Sequence, residues 1–557
     1  MASERGSSRR TGSSRDRRPT DLSRPQHVDP TEVRVLSQAT GARVDLVGDA
    51  TATTAVTGVS LRAQDVRAGD LFAALPGART HGARFAAEAV ERGATAVLTD
   101  PAGRMELARS LPTDAGCAVL VHSDPRSVLG GLSARVYGNP SQRLKLIGIT
   151  GTSGKTTTSY MVEAALLAAG HSVGLIGTVE TRVDGVAVPS SLTTPEAPTL
   201  QGMLAAMVER GVDAVVMEVS SHALALGRVD GAHFAVGAFT NLSQDHLDFH
   251  PTMRAYFEAK ARLFVSGSST RAVRSVVCVD DEWGRRMAEL AAAGTSITPV
   301  TVSTTDVGAQ WRAGPSTVEA DGSQRVTLAG PGRSGVELVL GLPGRYNVAN
   351  AALAVAVAVA AGVGAGQAAE AQAAVSVPGR LERVERGQPF LAIVDYAHKP
   401  GALEAVLATL RGQISGRIGV VIGAGGDRDH GKRPMMGAAA ARGAELVIIT
   451  DDNPRTEDPA AIRAAMVAGV DAVGADEVPA GAEHREIGDR RAAIGAAVEW
   501  ARPGDVILVA GKGHEPGQEI DGVKHPFDDR LVLGEALANA YSGHRERSAP
   551  QVPGAQR

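Results

Sequence analysis

The residues with the plainest chemical purpose are K-L-I-G-I-T-G-T-S-G-K-T-T-T at 145–158. A β-branched run feeds a glycine turn, and Lys155 and Thr156 are placed to open a helix, which aims backbone N–H groups at phosphate oxygens. The strict nucleotide-loop pattern wants a glycine five residues before Gly154, where Ile149 stands, so the spacing is the tighter T-G-T-x-G-K-T-T form. Lysine is scarce: of 57 basic residues, seven are lysine. The lysines that remain are candidates for work a guanidinium cannot do, because an amine can lose its proton and react. Lys155, Lys260, Lys399, Lys432 and Lys512 all lie in glycine-, histidine- or acid-rich surroundings, whereas Lys145 and Lys524 look incidental.

At 557 residues the chain exceeds one hydrophobic core and divides into three to four units. A net charge of −4 gives no basic footprint for nucleic acid. Cys117 and Cys278 are far apart and in no C-x-x-C setting, which argues against disulfides or thiolate metal sites and fits a reducing cytoplasm. No charged start precedes an apolar core, so no secretory signal is expected. The Ala- and Val-rich stretch 348–366 contains Asn350 and lacks charged or aromatic flanks, predicting a buried helix rather than a membrane span.

The fold class expected is α/β in three domains. Residues 1–30 and 542–557 read as polar, disordered tails. Residues 31–142 form a small α/β unit with buried strands in A-T-A-V-L-T-D and C-A-V-L-V-H. In 143–377 the runs V-D-A-V-V-M-E-V, F-A-V-G-A-F-T-N-L and S-V-V-C-V-D predict a mostly parallel sheet behind the glycine turn. Ligands sit at the carboxyl ends of such strands, which places Glu218, Ser220, Asn241, Asp245 and His246 near the phosphate site. Residues 378–541 carry I-G-V-V-I-G, L-V-I-I-T-D-D and D-V-I-L-V-A-G, a doubly wound, Rossmann-like sheet, although Arg428 stands where a dinucleotide fingerprint needs glycine.

One ordered set of motifs is far more specific than any of these alone. T-G-T-S-G-K-T-T-T, L-T-T-P, M-E-V-S-S-H-A-L, T-N-L-S-Q-D-H-L-D-F-H, E-A-K-A-R-L-F, G-R-Y-N-V-A-N, G-R-L-E-R, V-D-Y-A-H-K-P, G-G-D-R-D-H-G-K-R-P-M-M, D-D-N-P-R and A-G-K-G-H-E run in this order from about residue 58 to 515. The set resembles the bacterial Mur ligases. The resemblance implies a cytoplasmic, monomeric enzyme that uses ATP and Mg²⁺ to activate a carboxylate as an acyl phosphate, which an amine then attacks. Its carboxylate substrate would be a UDP-muramoyl dipeptide, without nucleic acid or membrane insertion.

Roles follow from the resemblance position by position. Gly151, Thr152, Ser153, Gly154, Lys155, Thr156 and Thr157 would wrap the phosphates, with Lys155 on the transferred group. Thr156, Glu218 and His246 would hold magnesium, and Lys260 would be a carbamylated lysine, N6-carboxylysine, an anion that arginine could not become. Asn347 and Arg380 would meet the adenine side and polyphosphate of ATP, and Asp395 and His398 its ribose; Lys399 stands where threonine is more usual. Thr193, Thr194, Ser220 and Arg228 would hold the muramoyl dipeptide and its diphosphate. Ala63 replaces a hydroxyl in the family's uridine element, so no uridine contact is assigned.

Asp452, Asn453, Pro454 and Arg455, with Arg428, Gly511 and Glu515, would choose the amino acid. Diaminopimelate differs from lysine by a distal carboxylate, which Arg455 can clamp. Lysine would leave that guanidinium partnerless at roughly 3 to 5 kcal/mol, or about two or more orders of magnitude. Alternatives that stay open are the same scaffold adding lysine or extending folate with glutamate, and a non-catalytic nucleotide switch. A zinc hydrolase built on His246, His250 and Asp248 is disfavoured because no third imidazole or thiolate accompanies them in the sequence.

Overall fold

Strands buried on both faces must be apolar throughout, and the runs above fold accordingly into three sheets. The structure, a computed structural model, describes residues 23–541 apart from 78, 184, 189–191, 320–322, 333–334 and 413. The first sheet has the order Arg43–Val47, Cys117–Val121, Ala96–Thr99, Asp70–Ala73, Gly58–Ser60, parallel except for its first strand. The expected tail through residue 30 is too long. Arg24 places its guanidinium on the Asp70 carboxylate at 2.7 and 2.9 Å, and the N–H groups of Gln26 and His27 donate to Glu209. The rest of that tail, 1–22, and the tail at 542–557 lie outside the described residues.

Among the described residues the central sheet has eleven strands. Its parallel middle runs Val173–Ile176, Ala214–Glu218, Lys145–Thr150, Val236–Phe239, Arg274–Cys278, Val300–Ser303, Trp311–Val318. Both edges are antiparallel: Thr181–Val183 and Val186–Val188 on one side, Gln324–Ala329 and Val336–Leu340 on the other. The expected parallel sheet is therefore the middle of a larger mixed one. Helices Lys155–Ala168 and Arg345–Ala360 share one buried cluster with this sheet; the second is the Ala-rich stretch, and its small side chains let the two helices approach closely. Among the described residues no helix is long and apolar enough to cross a membrane.

The third sheet has the order Glu382–Arg383, Leu391–Asp395, Val506–Ala510, Ile418–Ile422, Leu446–Ile449, Glu483–Glu486, with only its first strand antiparallel. Helices Pro400–Arg411, Lys432–Gly443 and Pro459–Asp471 cover one face, and Arg490–Trp500 and Asp529–Tyr541 the other, so the sheet is doubly wound. Beneath the second layer Arg490 donates through Nε and Nη2 to both Asp529 oxygens at 2.8 Å, and neither side chain reaches solvent. Asp529→Ala leaves that guanidinium buried without its partner, at an expected cost of about 3–5 kcal/mol. The denaturant midpoint of the C-terminal lobe, followed by the fluorescence of Trp500 in that lobe, measures it.

Candidate active site

The site is built where strand ends from two sheets meet. Strand Lys145–Thr150 runs into a turn whose Gly151 has φ 145° and Gly154 φ 85°, backbone that side chains resist, and the helix begins at Lys155. A Cβ on Gly151 would lie 1.9 Å from Thr240 Oγ1. The next strand's end clamps the turn: Asn241 accepts from the Ser153 N–H at 3.1 Å, and Thr240 Oγ1 and Asn241 Nδ2 donate to the Ser153 carbonyl. Thr152 Oγ1 lies 3.1 Å from Tyr256 Oη, Thr157 is buried in the helix's first turn, and Gly154 lies against the Asn350 amide.

Glu218 ends strand Ala214–Glu218 and is 1% exposed. One oxygen accepts from Thr156 Oγ1 at 2.9 Å and from the Thr178 N–H; the other accepts from Thr178 Oγ1. It has no ion-pair partner among the described residues, and a buried carboxylate beside a hydroxyl suits a hard divalent cation. His246 stands in left-handed backbone at φ 52° with Nε2 3.0 Å from Asp245. Burial pushes its imidazole down to about 4, so the ring is neutral and able to bind a metal. Among the described residues no three His, Cys, Asp or Glu side chains converge on one point, so magnesium here would keep several waters. A third imidazole does accompany the histidine pair, contrary to the sequence reading: the ring of His222 lies 4.9 Å from that of His246 and 5.7 Å from that of His250. The rings meet mostly edge to face, with only His222 and Phe249 stacked, and they make no zinc cluster among the described residues.

Lys260 is not a surface lysine. It is 1% exposed, donates to the Gly151 carbonyl at 2.8 Å and lies over the Tyr256 ring. Burial first, and the Lys155 ammonium second, hold its amine well below the ordinary lysine range. Lys155 donates to the carbonyls of Gly151 and Thr152 at 3.0 Å, and burial lowers it to about 8.

Thr193, Thr194, Ser220 and Arg228 gather around the same strand end. Thr193 Oγ1 lies 3.0 Å from Thr178 Oγ1, Thr194 Oγ1 donates to the Glu218 carbonyl, and Ser220 caps helix Ser221–Ala225. Arg228 pairs with Glu196 at 2.8 Å. Asn347 is buried and donates to the Pro343 carbonyl, while Arg380 lies over the Tyr396 ring with its Nε unpartnered. His398 turns Nδ1 to the Tyr396 carbonyl, and burial lowers it to about 3. Asp395 is the exception to the expected ribose set. It is buried, and its two oxygens accept from the N–H groups of Leu381 and Ala397, so the carboxylate braces the chain.

At the end of strand Leu446–Ile449, Asp452 is buried against Lys512, whose Nζ lies 3.7 Å from Asp452, 3.6 Å from Glu515 and 3.0 Å from Asn453 Oδ1. Asn453 in turn donates to Glu515. Gly511 must be glycine, with φ 114° and a Cβ that would meet Asp452 at 2.7 Å. The Pro454 carbonyl packs on Gly426, and the exposed Arg428 and the Arg455 guanidinium both lie close to Gly425. The Arg455 guanidinium already has partners: it donates to the Gly426 carbonyl at 2.6 Å and lies 3.4 Å from Glu519. The partnerless guanidinium of the sequence argument is thus corrected, because Glu519 and a carbonyl wait on it. Nothing in the spacing of Thr178 or Glu519 marks them in the sequence, whereas Lys512 stands out both by the scarcity of lysine and within A-G-K-G-H-E.

This geometry belongs to a known class. The Mur ligase middle domain matches residues 149–358, the Mur ligase glutamate ligase domain residues 379–513, and the Mur ligase family catalytic domain residues 55–137. The chain belongs to the Mur ligase family. It is 58% identical over 472 residues to the UDP-N-acetylmuramoyl-L-alanyl-D-glutamate–2,6-diaminopimelate ligase of Corynebacterium efficiens, covering 85% of this chain and 88% of that one. The Streptomyces avermitilis protein of the same name is 50% identical over 518 residues, covering 92% and 98%. A solved ligase of that name superposes with a TM-score of 0.63 at 31% identity, over 92% of this chain and all of the other. Gly151→Ala is expected to weaken adenine nucleotide binding about tenfold or more, through strain of a few kcal/mol at the turn; titration calorimetry reads it.

Proposed function

We infer that this chain is an ATP-dependent ligase that joins 2,6-diaminopimelate to the D-glutamate of UDP-N-acetylmuramoyl-L-alanyl-D-glutamate, a step in peptidoglycan precursor synthesis. The observation that carries this is one loop, Asp452 to Arg455. It carries the Asp452 carboxylate, with Glu515 held beside it through Lys512 and Asn453, and the Arg455 guanidinium, groups suited to an amine and to a distal carboxylate, in a chain 50–58% identical to ligases of that name.

The chemistry divides between the sheets. A glutamate oxygen attacks the γ-phosphorus, ADP leaves, and an acyl phosphate remains. The amine then attacks the carbonyl carbon, loses a proton and expels phosphate. Lys155 and the N–H groups of the 151–157 turn supply positive charge to the phosphoryl oxygens. Thr156, Glu218 and His246 would hold Mg²⁺, which would neutralise charge on the phosphates. Thr193, Thr194, Ser220 and Arg228 would orient the dipeptide substrate. Lys260, whose amine burial holds well below the ordinary lysine range, would be nucleophilic toward carbon dioxide in its unprotonated form; forming the N–C bond and releasing a proton makes the carbamate. The enzyme would work as a cytoplasmic monomer.

Arg455→Ala is expected to cut kcat/KM for diaminopimelate about tenfold, the substrate carboxylate replacing Glu519 rather than meeting a bare guanidinium, while changing lysine turnover little, read as ADP release with each amino acid. Strong lysine turnover by the unaltered enzyme, with none for diaminopimelate, would sink the assignment. Lys260→Ala is expected to lose about two orders of magnitude in kcat and to regain part of it in bicarbonate or acetate, since either restores an anion to the cavity. Unchanged kcat would refute the carbamate.

A further inference from the structure

Lys399 immediately precedes helix Pro400–Arg411 of the C-terminal lobe. Its Nζ donates to Asp245 Oδ2 at 2.5 Å, across 154 residues of sequence, and the two side chains are 21% and 18% exposed. Asp245 lies in the loop after central strand Val236–Phe239, and the same oxygen is 3.0 Å from His246 Nε2. Among ion pairs between described residues, this is the one joining the C-terminal lobe to the central lobe.

The surroundings are arranged to hold that ammonium in place. Lys432 Nζ donates to the carbonyl of His398 at 3.1 Å, fixing the backbone that carries Lys399. On the central side, Ser243 N–H donates to Thr152 Oγ1, so the loop bearing Asp245 is pinned to the phosphate-binding turn. The charge of Lys399 is felt at Lys155, Lys260, His246, His398 and Lys432. Without this partner Asp245 would keep only the His246 ring at ion-pair distance among the described residues, and its charge would act on Lys155, which the ligase reading sets on the phosphates.

We propose that Lys399 is a positioning residue of the ligase reaction, the cation by which docking of the C-terminal lobe sets the Asp245–His246 loop against the phosphoryl centre. The proposal rests on the ligase reading above. Lys399 neutralises Asp245, which leaves Lys155 to the phosphates and holds His246 in its left-handed conformation. Docking of the lobe that carries the amino acid is thereby felt where ATP is cleaved.

The test uses the full chain as wild type, Lys399→Met, Lys399→Arg, Asp245→Asn and the double variant Lys399→Met/Asp245→Asn. Steady-state ADP release gives kcat and KM, and hydrogen exchange on the ligand-free proteins follows residues 241–250. Lys399→Met is expected to lower kcat about 10- to 100-fold while KM for ATP and for the amino acid moves less than about threefold. Lys399→Arg, which keeps the charge, is expected to stay within about fivefold of wild type. The double variant should be no slower than the slower single variant, because both remove one interaction. Exchange in 241–250 should quicken about tenfold in Lys399→Met and Asp245→Asn, and not in the rest of the central sheet. Wild-type kcat in Lys399→Met, single effects that multiply in the double variant, or unchanged exchange in 241–250 would each overturn the proposal. A wild-type chain that releases no ADP with diaminopimelate would refute the ligase reading instead, while the exchange arm would still report on the Lys399 contact.

Discussion

One buried carboxylate organises the centre of the molecule. Glu218 receives the first-turn hydroxyl of the phosphate-binding helix, the N–H and hydroxyl of Thr178 beyond the neighbouring strand, and through its own carbonyl the hydroxyl of Thr194. Three separate segments are therefore registered on one residue. Its charge meets no ammonium or guanidinium at ion-pair distance among the described residues, so polar donors alone stabilise it. Such a group is costly to bury for packing alone, and the cost makes sense if a cation completes it.

The rest of the architecture serves to bring other strand ends to this one. In both larger sheets the site residues lie at or just beyond the carboxyl ends of parallel strands, Glu218 and Asn241 in the central sheet and Asp395, Asp452 and Gly511 in the C-terminal one. The sheets differ in what they contribute. The central one offers backbone donors and lysines around a sharp turn, and the C-terminal one offers a balanced group of acids, amide and ammonium around Lys512. A phosphate and an amino acid are suited by these two environments respectively.

Much of the fold was legible because strands buried on both faces must be apolar, and V-V-M-E, V-G-A-F and V-I-L-V-A announce themselves in that way. The antiparallel edge was missed for the converse reason. In Gln324–Ala329 buried and exposed residues alternate, a weaker pattern than a continuous apolar run. At the site, motif residues were legible because glycine, lysine and acid types recur at fixed spacing. Their present partners were not: nothing local tells that Asp395 braces Leu381 and Ala397, or that Glu519 reaches Arg455 from a hairpin more than sixty residues away. The third imidazole, His222, lies on another segment and meets His246 only in space.

The contact between Arg455 and Glu519 changes how selectivity at such a loop should be reckoned. A carboxylate arriving at Arg455 performs an exchange, replacing one anion by another, so the gain is the difference between two similar pairs rather than the whole worth of either. A ligand without that carboxylate leaves the resident pair undisturbed and suffers less than a bare guanidinium would impose. The loop therefore trades tightness for a standing occupant that keeps the arginine aimed when the pocket is empty.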